Sequence, residues 1–162
     1  MAAKKVSGTV TAMAEKLKSD ARPKVAKQKI FTITGKRKTS IAKATIREGN
    51  GDVRINRMPL ETFSLLRKLY LIEPFRIAEE VIGDQLRKVN ISVTVTGGGS
   101  ESQVEASRLS IAKALVAYTA NQDLKAAFTK YDRSLLVADV RRKEMRKPGD
   151  SKARARRQTS YR

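Results

Sequence analysis

The last twelve residues, SKARARRQTSYR (Ser151 to Arg162), carry five basic side chains, no acidic one, and Tyr161 as the sole large apolar group. A stretch of that composition cannot bury enough apolar surface to offset the entropy of ordering it, so it does not fold alone. The bias extends inward and recurs at the other end: residues 139–162 hold ten basic and three acidic residues, and residues 1–29 hold eight and two. These ends supply +13 of the formal net charge of +19, leaving +6 on the 109 residues between them. The chain therefore reads as a basic N-terminal extension (1–29), a globular α/β body (30–138) and an extended basic C-terminal tail (139–162). So large an excess favours a polyanionic partner: nucleic acid, an anionic membrane surface or an acidic protein.

Several classes of chemistry fall away at once. The 162 residues include no cysteine and no histidine. That removes disulfides, thiolate chemistry, the usual zinc ligands, the catalytic triads and the commonest general base. No apolar run approaches the roughly 18–20 residues needed to span a bilayer. The start, MAAKKVSGTVTAMAEKLKSD, has early lysines but only a short, threonine-rich stretch before charge resumes. It reads as neither signal peptide nor anchor, and a soluble intracellular protein is expected.

The body reads as mixed α and β. Lys29 to Thr34 and Ile41 to Arg47 have the composition of strands, GNGD at 49–52 is a turn signal, and Val53 to Asn56 continues as a strand. Leu60 to Leu71 and Pro74 to Ile82 read as helices, with Pro74 at a helix start and Gly83 at its end. Val89 to Thr96 (VNISVTVT) alternates valine or isoleucine with Asn90, Ser92, Thr94 and Thr96, so one face lies on a core and the other is exposed or ligand-facing. After GGGSES, a helix over about Glu101 to Thr119 carries Val104, Ile111, Leu115 and Tyr118 as an apolar stripe. Arg108 interrupts that stripe, so its guanidinium belongs at the edge or points at something anionic. A further helix is predicted over about Gln122 to Lys130, and a short one is possible over 8–18.

Two loops invite a phosphate. In TGKRKTS (Thr34 to Ser40), Gly35 and Lys36 suggest a phosphate loop, but Ile30 stands where its first glycine would be and Arg37 where Ser or Thr would follow the lysine. What remains is either a solvated hairpin or a set of nucleic-acid phosphate contacts through Lys36, Arg37 and Lys38. Gly97 to Ser102 lies between a strand and a helix, where backbone N–H groups and the helix dipole suit an anion. The alternative is a strand-to-helix turn with Ser100 or Ser102 as N-cap. Among carboxylates, Glu79 and Glu80 diverge, Glu101 and Glu105 complement a helix dipole, and Asp132 and Asp139 read as salt-bridge partners of nearby arginines. None forms an acid–base constellation, so no enzyme and no cofactor are expected. The tail residues Arg141, Arg142, Lys143, Arg146, Lys147, Lys152, Arg154, Arg156 and Arg157 suit bidentate phosphate binding and base stacking, with Tyr161 as a further stacking surface.

Three blocks carry a resemblance: TGKRKTSIAKATIREGNGDVRINRMPL, VTVTGGGSESQVEASRLSIAKAL and LLVADVRRKEMRKPGDSKARARRQTSYR. In order and spacing, from about Ile30 to Arg162, the chain resembles the ribosomal protein S9 family of the small subunit (universal name uS9). LLVADVRR and the QTSYR ending are similar to its archaeal and eukaryotic branch, whereas bacterial members typically end in a lysine-arginine pair. Residues 1–29 depart from the family pattern.

The resemblance implies an α+β fold of the ribosomal protein S5 domain 2-like type, a four-stranded sheet with helices packed on one face. Some small-molecule kinases share that architecture, but fold alone does not carry function across. It further implies a cytoplasmic, ribosomal protein whose body binds small-subunit rRNA in the subunit head beside neighbouring ribosomal proteins. Neither a membrane, a metal nor a small-molecule substrate belongs to that picture. The implied rRNA contacts are Gly35 to Lys38, Gly97, Gly98 and Gly99, Arg108 and the tail cations. Gln158, Thr159, Ser160, Tyr161 and Arg162 would be the end nearest the anticodon stem-loop of the peptidyl-site tRNA.

Overall fold

The computed structural model describes residues 29–158 and 160–162. The short helix considered over 8–18, and Thr159 at the tail end, lie outside the described residues.

The alternating stretch is strand β5 (Val89–Thr96), with Val89, Ile91, Val93 and Val95 buried and Ser92, Thr94 and Thr96 exposed. It pairs antiparallel with β2 (Ser40–Glu48), which pairs antiparallel with β1 (Phe31–Arg37). On its other side β5 runs parallel to β3 (Val53–Ile55), and β3 carries an edge strand, β4 (Met58–Pro59), so the sheet order is β1-β2-β5-β3-β4. The fourfold count is thus exceeded by one two-residue strand. Its cause is a hairpin turn at Asn56 and Arg57, both at positive φ (49° and 68°), the geometry of a primed two-residue turn. The Asn56 side chain steadies it: Nδ2 donates to the Val95 carbonyl at 3.2 Å and Oδ1 accepts from the Val95 N–H at 2.8 Å. Asn56 suits the first position of such a turn, but Arg57 stands where glycine usually follows, so the dipeptide carries only half of the signal.

The helices correct one expectation. Helix α1 runs unbroken over Leu65–Ile82 with Pro74 inside it, whereas a separate 3₁₀ turn covers Leu60–Thr62. An interior proline removes one hydrogen bond and presses on the preceding turn. Here Pro74 is buried with Leu71 and Ala78 on the inward face, and that packing holds the helix together across the defect. Gly83 ends it as expected, at φ 58°. Helices α2 (Ser100–Thr119) and α3 (Gln122–Tyr131) agree with the sequence reading to within a residue at each end.

All three helices lie on one side of the sheet: α2 covers β1, β2 and β5, while α1 packs on α2 and α3. Enclosed in this way, α2 buries ten residues, many of them small: Ser102, Ala106, Ser107, Ser110, Ala112 and Ala114 among them. Two of the buried serines satisfy their hydroxyls on their own helix, Ser107 on the Gln103 carbonyl (2.7 Å) and Ser110 on the Ser107 carbonyl (2.9 Å). Leu124, Phe128 and Leu135 close the core at the far end. Among the described residues no helix is long and apolar enough to cross a membrane, and no helix or strand follows the 3₁₀ turn Arg133–Leu135.

Small residues let α2 approach β1 closely, and Gly35 is the point of nearest approach. A Cβ there would sit 2.8 Å from the Ser110 nitrogen and closer still to the Ala106 carbonyl oxygen, both backbone atoms that cannot swing aside. Gly35→Ala is therefore expected to destabilise the chain by about 2–3 kcal/mol, the upper range for overpacking. A thermal melt checks this, with an unshifted midpoint as the contrary result.

Candidate nucleic-acid interface

The basic side chains divide into those neutralised within the chain and those left open. Arg37 and Arg108 belong to the first group, although the sequence reading aimed both at RNA. Arg37 occupies an inward position near the end of β1, with its side chain 19% exposed, and its guanidinium pairs with Glu105 of α2 and with Asp139. Arg108 is 13% exposed between Glu73 of α1, whose Oε2 lies 2.6 Å from Nε, and Asp132, whose Oδ2 accepts from Nη2 at 3.0 Å. The Nε–Oε2 approach lacks the alignment of a hydrogen bond, so it acts as a charge contact. The interruption of the apolar stripe at Arg108 was a real signal, and the anion it meets comes from the chain itself.

This cluster shifts its neighbours. Burial pushes the Asp132 carboxyl up, but hydrogen bonds from the Ser134 hydroxyl and N–H, together with the Arg108 charge, leave it below its ordinary value. A hydrogen bond to Glu73, reinforced by that carboxylate's charge, pushes the Tyr131 phenol above its ordinary value.

The glycine triplet is built as a turn. Gly97 and Gly98 both take positive φ (75° and 68°), and a Cβ on Gly98 would strike the Ser40 and Ser102 hydroxyls. Gly99 is the N-cap of α2; its N–H donates to the Ser102 hydroxyl at 3.0 Å, and Ser102 in turn bonds Ser40 at 2.8 Å. The Gly97 carbonyl accepts from Gln103 Nε2 at 3.0 Å and from Ser40 at 3.0 Å. These bonds account for the loop's sequence as a strand-to-helix turn. The cap is Gly99 instead of either serine, because Ser102 serves it from inside the helix. Nearby, Arg67 holds Glu101 (2.9 Å) and Ser100 (3.1 Å).

The segment TGKRKTS proves to be mostly strand. Gly35 is buried, Lys36 faces away from the helices, and Arg37 pairs with Ser40 in register, leaving Lys38 and Thr39 as a two-residue turn. Lys38 is exposed at its tip, with φ 51°.

Past Leu136 the picture changes. Asp139, 20% exposed, binds Arg37 of β1 and takes both the N–H and the guanidinium of Arg141, each at 2.7 Å. The start of the tail is thereby fastened to the β1–β2 hairpin, and Asp132 and Asp139 are the salt-bridge partners that the sequence suggested. Arg154 pairs with Glu144 at 2.9 Å. Among the described residues Arg142, Lys143, Arg146, Lys147, Lys152, Arg156, Arg157 and Arg162 make no ion pair, and all are exposed. Gln158 and Ser160 are exposed too, and Tyr161 is 93% exposed. An open array of arginines and one free aromatic ring can neutralise phosphates and stack on bases.

Known proteins are similar to this chain in sequence. Residues 35–162 match the family model described as ribosomal protein S9/S16. The chain is 44% identical over 137 residues to small ribosomal subunit protein uS9 of Methanococcus vannielii, covering 83% of this chain and 99% of that one. It is 46% identical over 129 residues to the protein of the same name from Picrophilus torridus, covering 79% and 94%.

Proposed function

The chain belongs to the ribosomal protein S9/S16 family, and from that premise we propose how its charge is put to use in the small ribosomal subunit. It is a structural constituent of that subunit and not an enzyme; it works beside rRNA and other ribosomal proteins. The body binds small-subunit rRNA in the subunit head. The cations between Arg142 and Arg157 neutralise rRNA phosphates, and Gln158 to Arg162 reach the anticodon stem-loop of the peptidyl-site tRNA.

One observation carries this reading. The body's Arg37 and Arg108 are consumed by internal carboxylates, whereas eight cations from Arg142 onward are exposed and unpaired among the described residues. Unpaired arginines at that density repel one another and gain free energy when condensed on a polyanion. Arginine suits the task because its planar fork both binds phosphate and stacks.

Deleting residues 159–162 tests the last step. Incorporation into small subunits is expected to persist, since the rRNA-facing cations remain. Affinity for peptidyl-site tRNA is expected to fall about tenfold, the loss of one stacked ring and one charged phosphate contact. Filter binding of tRNA to purified subunits measures it, and unchanged affinity would remove the tail end from the tRNA.

A further inference from the structure

Among the described residues, the helices leave the other face of the sheet bare. Its outward positions form a grid fixed by register: Thr32, Thr34 and Lys36 on β1; Ile41, Lys43, Thr45 and Arg47 on β2; Asn90, Ser92, Thr94 and Thr96 on β5; Arg54 on β3. Lys43 sits at the centre, between Thr34 and Thr94, and Thr45 lies between Thr32 and Ser92. Neighbouring strands stand about 4.8 Å apart, so these groups make a continuous polar lattice. No outward position on these strands is acidic. Arg54 is held by Asp52 at 2.8 Å, but Lys36, Lys43 and Arg47 make no ion pair among the described residues.

We propose that this open sheet face docks on the backbone of a double-helical segment of RNA, across its minor groove. The proposal rests on the chain's place in the small subunit, where the RNA is rRNA. Charge complementarity selects a polyanion, since among the described residues the face offers three unpaired cations, and the one carboxylate beside it, Asp52, is taken up by Arg54. The side-chain chemistry selects the kind. Sheets that read unpaired bases do so with aromatic rings on which the bases stack, and no outward position here is aromatic. A-form helices present a wide, shallow minor groove lined with 2′-hydroxyls, which donate and accept as Thr and Ser hydroxyls do. Lysine and arginine at the same spacing take the flanking phosphates. A protein partner fits poorly, because Ile41, 39% exposed, is the lone large apolar group on the lattice and gives no apolar centre for an interface.

The absence of cysteine from the chain makes a direct test clean. Thr94→Cys, or Ser92→Cys if the first variant incorporates poorly, places one thiol on the face for a tethered iron chelate that cleaves nearby RNA. In assembled small subunits, cleavage is expected on both strands of one rRNA helix, offset across its minor groove. Cleavage confined to an unpaired loop overturns the double-helical partner. Ser160→Cys, in the tail, serves as the reference: cleavage from it with silence from the sheet face overturns this proposal alone, with a neighbouring protein as the occupant. Silence from both positions overturns the RNA placement of the tail along with that of the face. A second readout is salt dependence: Lys43→Ala with Arg47→Ala should lower the salt slope of association with small-subunit RNA by about two, one per lost phosphate contact. An unchanged slope counts against the face.

Discussion

Replacing Arg142, Arg146 and Lys147 together by glutamate is expected to lower incorporation into small subunits on the order of a hundredfold at physiological salt. Each lost phosphate contact forfeits its released counterions, and each new carboxylate adds repulsion from the same phosphates. All three side chains are exposed, make no ion pair among the described residues, and lie where no helix or strand depends on them. The melting temperature of the free chain should therefore stay where it is. Sedimentation of cell extract through a sucrose gradient measures the effect, as the share of the variant found with small subunits. Undiminished co-migration would take this stretch out of rRNA binding. Arg141 is deliberately spared: its bonds to Asp139 fasten the tail's start, so changing it would mix anchoring with RNA contact.

The opposite pattern is expected at Arg108. Arg108→Ala should destabilise the free chain by about 3 kcal/mol and lower its melting temperature by roughly 10 °C, while leaving the tail's RNA contacts untouched. The cost arises less from the lost contact than from what it strands: Glu73 keeps a largely buried carboxylate with no counter-charge, and Asp132 loses one of the partners that hold its carboxyl down. Arg108→Met combined with Glu73→Leu should recover most of the loss, because an apolar pair of similar volume often replaces a buried ion pair without penalty. An RNA-binding Arg108 would give the reverse result, an unchanged melt and weakened association. Asp132 also sets a pH dependence. Its folded value lies below the ordinary 3.8, so its contribution is fully present above that pH and fades as pH falls through the lowered value. Asp132→Asn should flatten that part of the acid limb in a pH series of melts.

Much of the body was legible residue by residue. Alternation over Val89–Thr96 identified β5 to the residue, because a strand half-buried on one face has no other economical pattern. Gly83 ended α1 where a residue of positive φ was needed. The candidate site was legible in its chemistry and less so in its geometry. Lys36, Arg37 and Lys38 are adjacent in sequence, yet strand pleating sends Lys36 to the open face, Arg37 to the helices and Lys38 to the turn tip. Of the open face, alternation marked the β5 positions Ser92, Thr94 and Thr96 as exposed or ligand-facing, but their β1 and β2 neighbours come from separate segments and share no motif with them.

What the sequence determined by itself is local and compositional: where charge accumulates, which segments alternate, which residues end a helix, and the blocks that mark the family. What only the tertiary structure decided is which groups meet. Arg37 finds Glu105 across 68 residues, Asn56 completes the β3–β5 pairing at Val95, Gly35 yields space to Ala106 and Ser110, and Pro74 survives inside α1 because it is buried with Leu71 and Ala78 on the packed face. Periodicity along a chain reports the burial of one face, but the identity of the atoms arriving on that face depends on sheet order and helix placement. Those follow from packing the whole core at once.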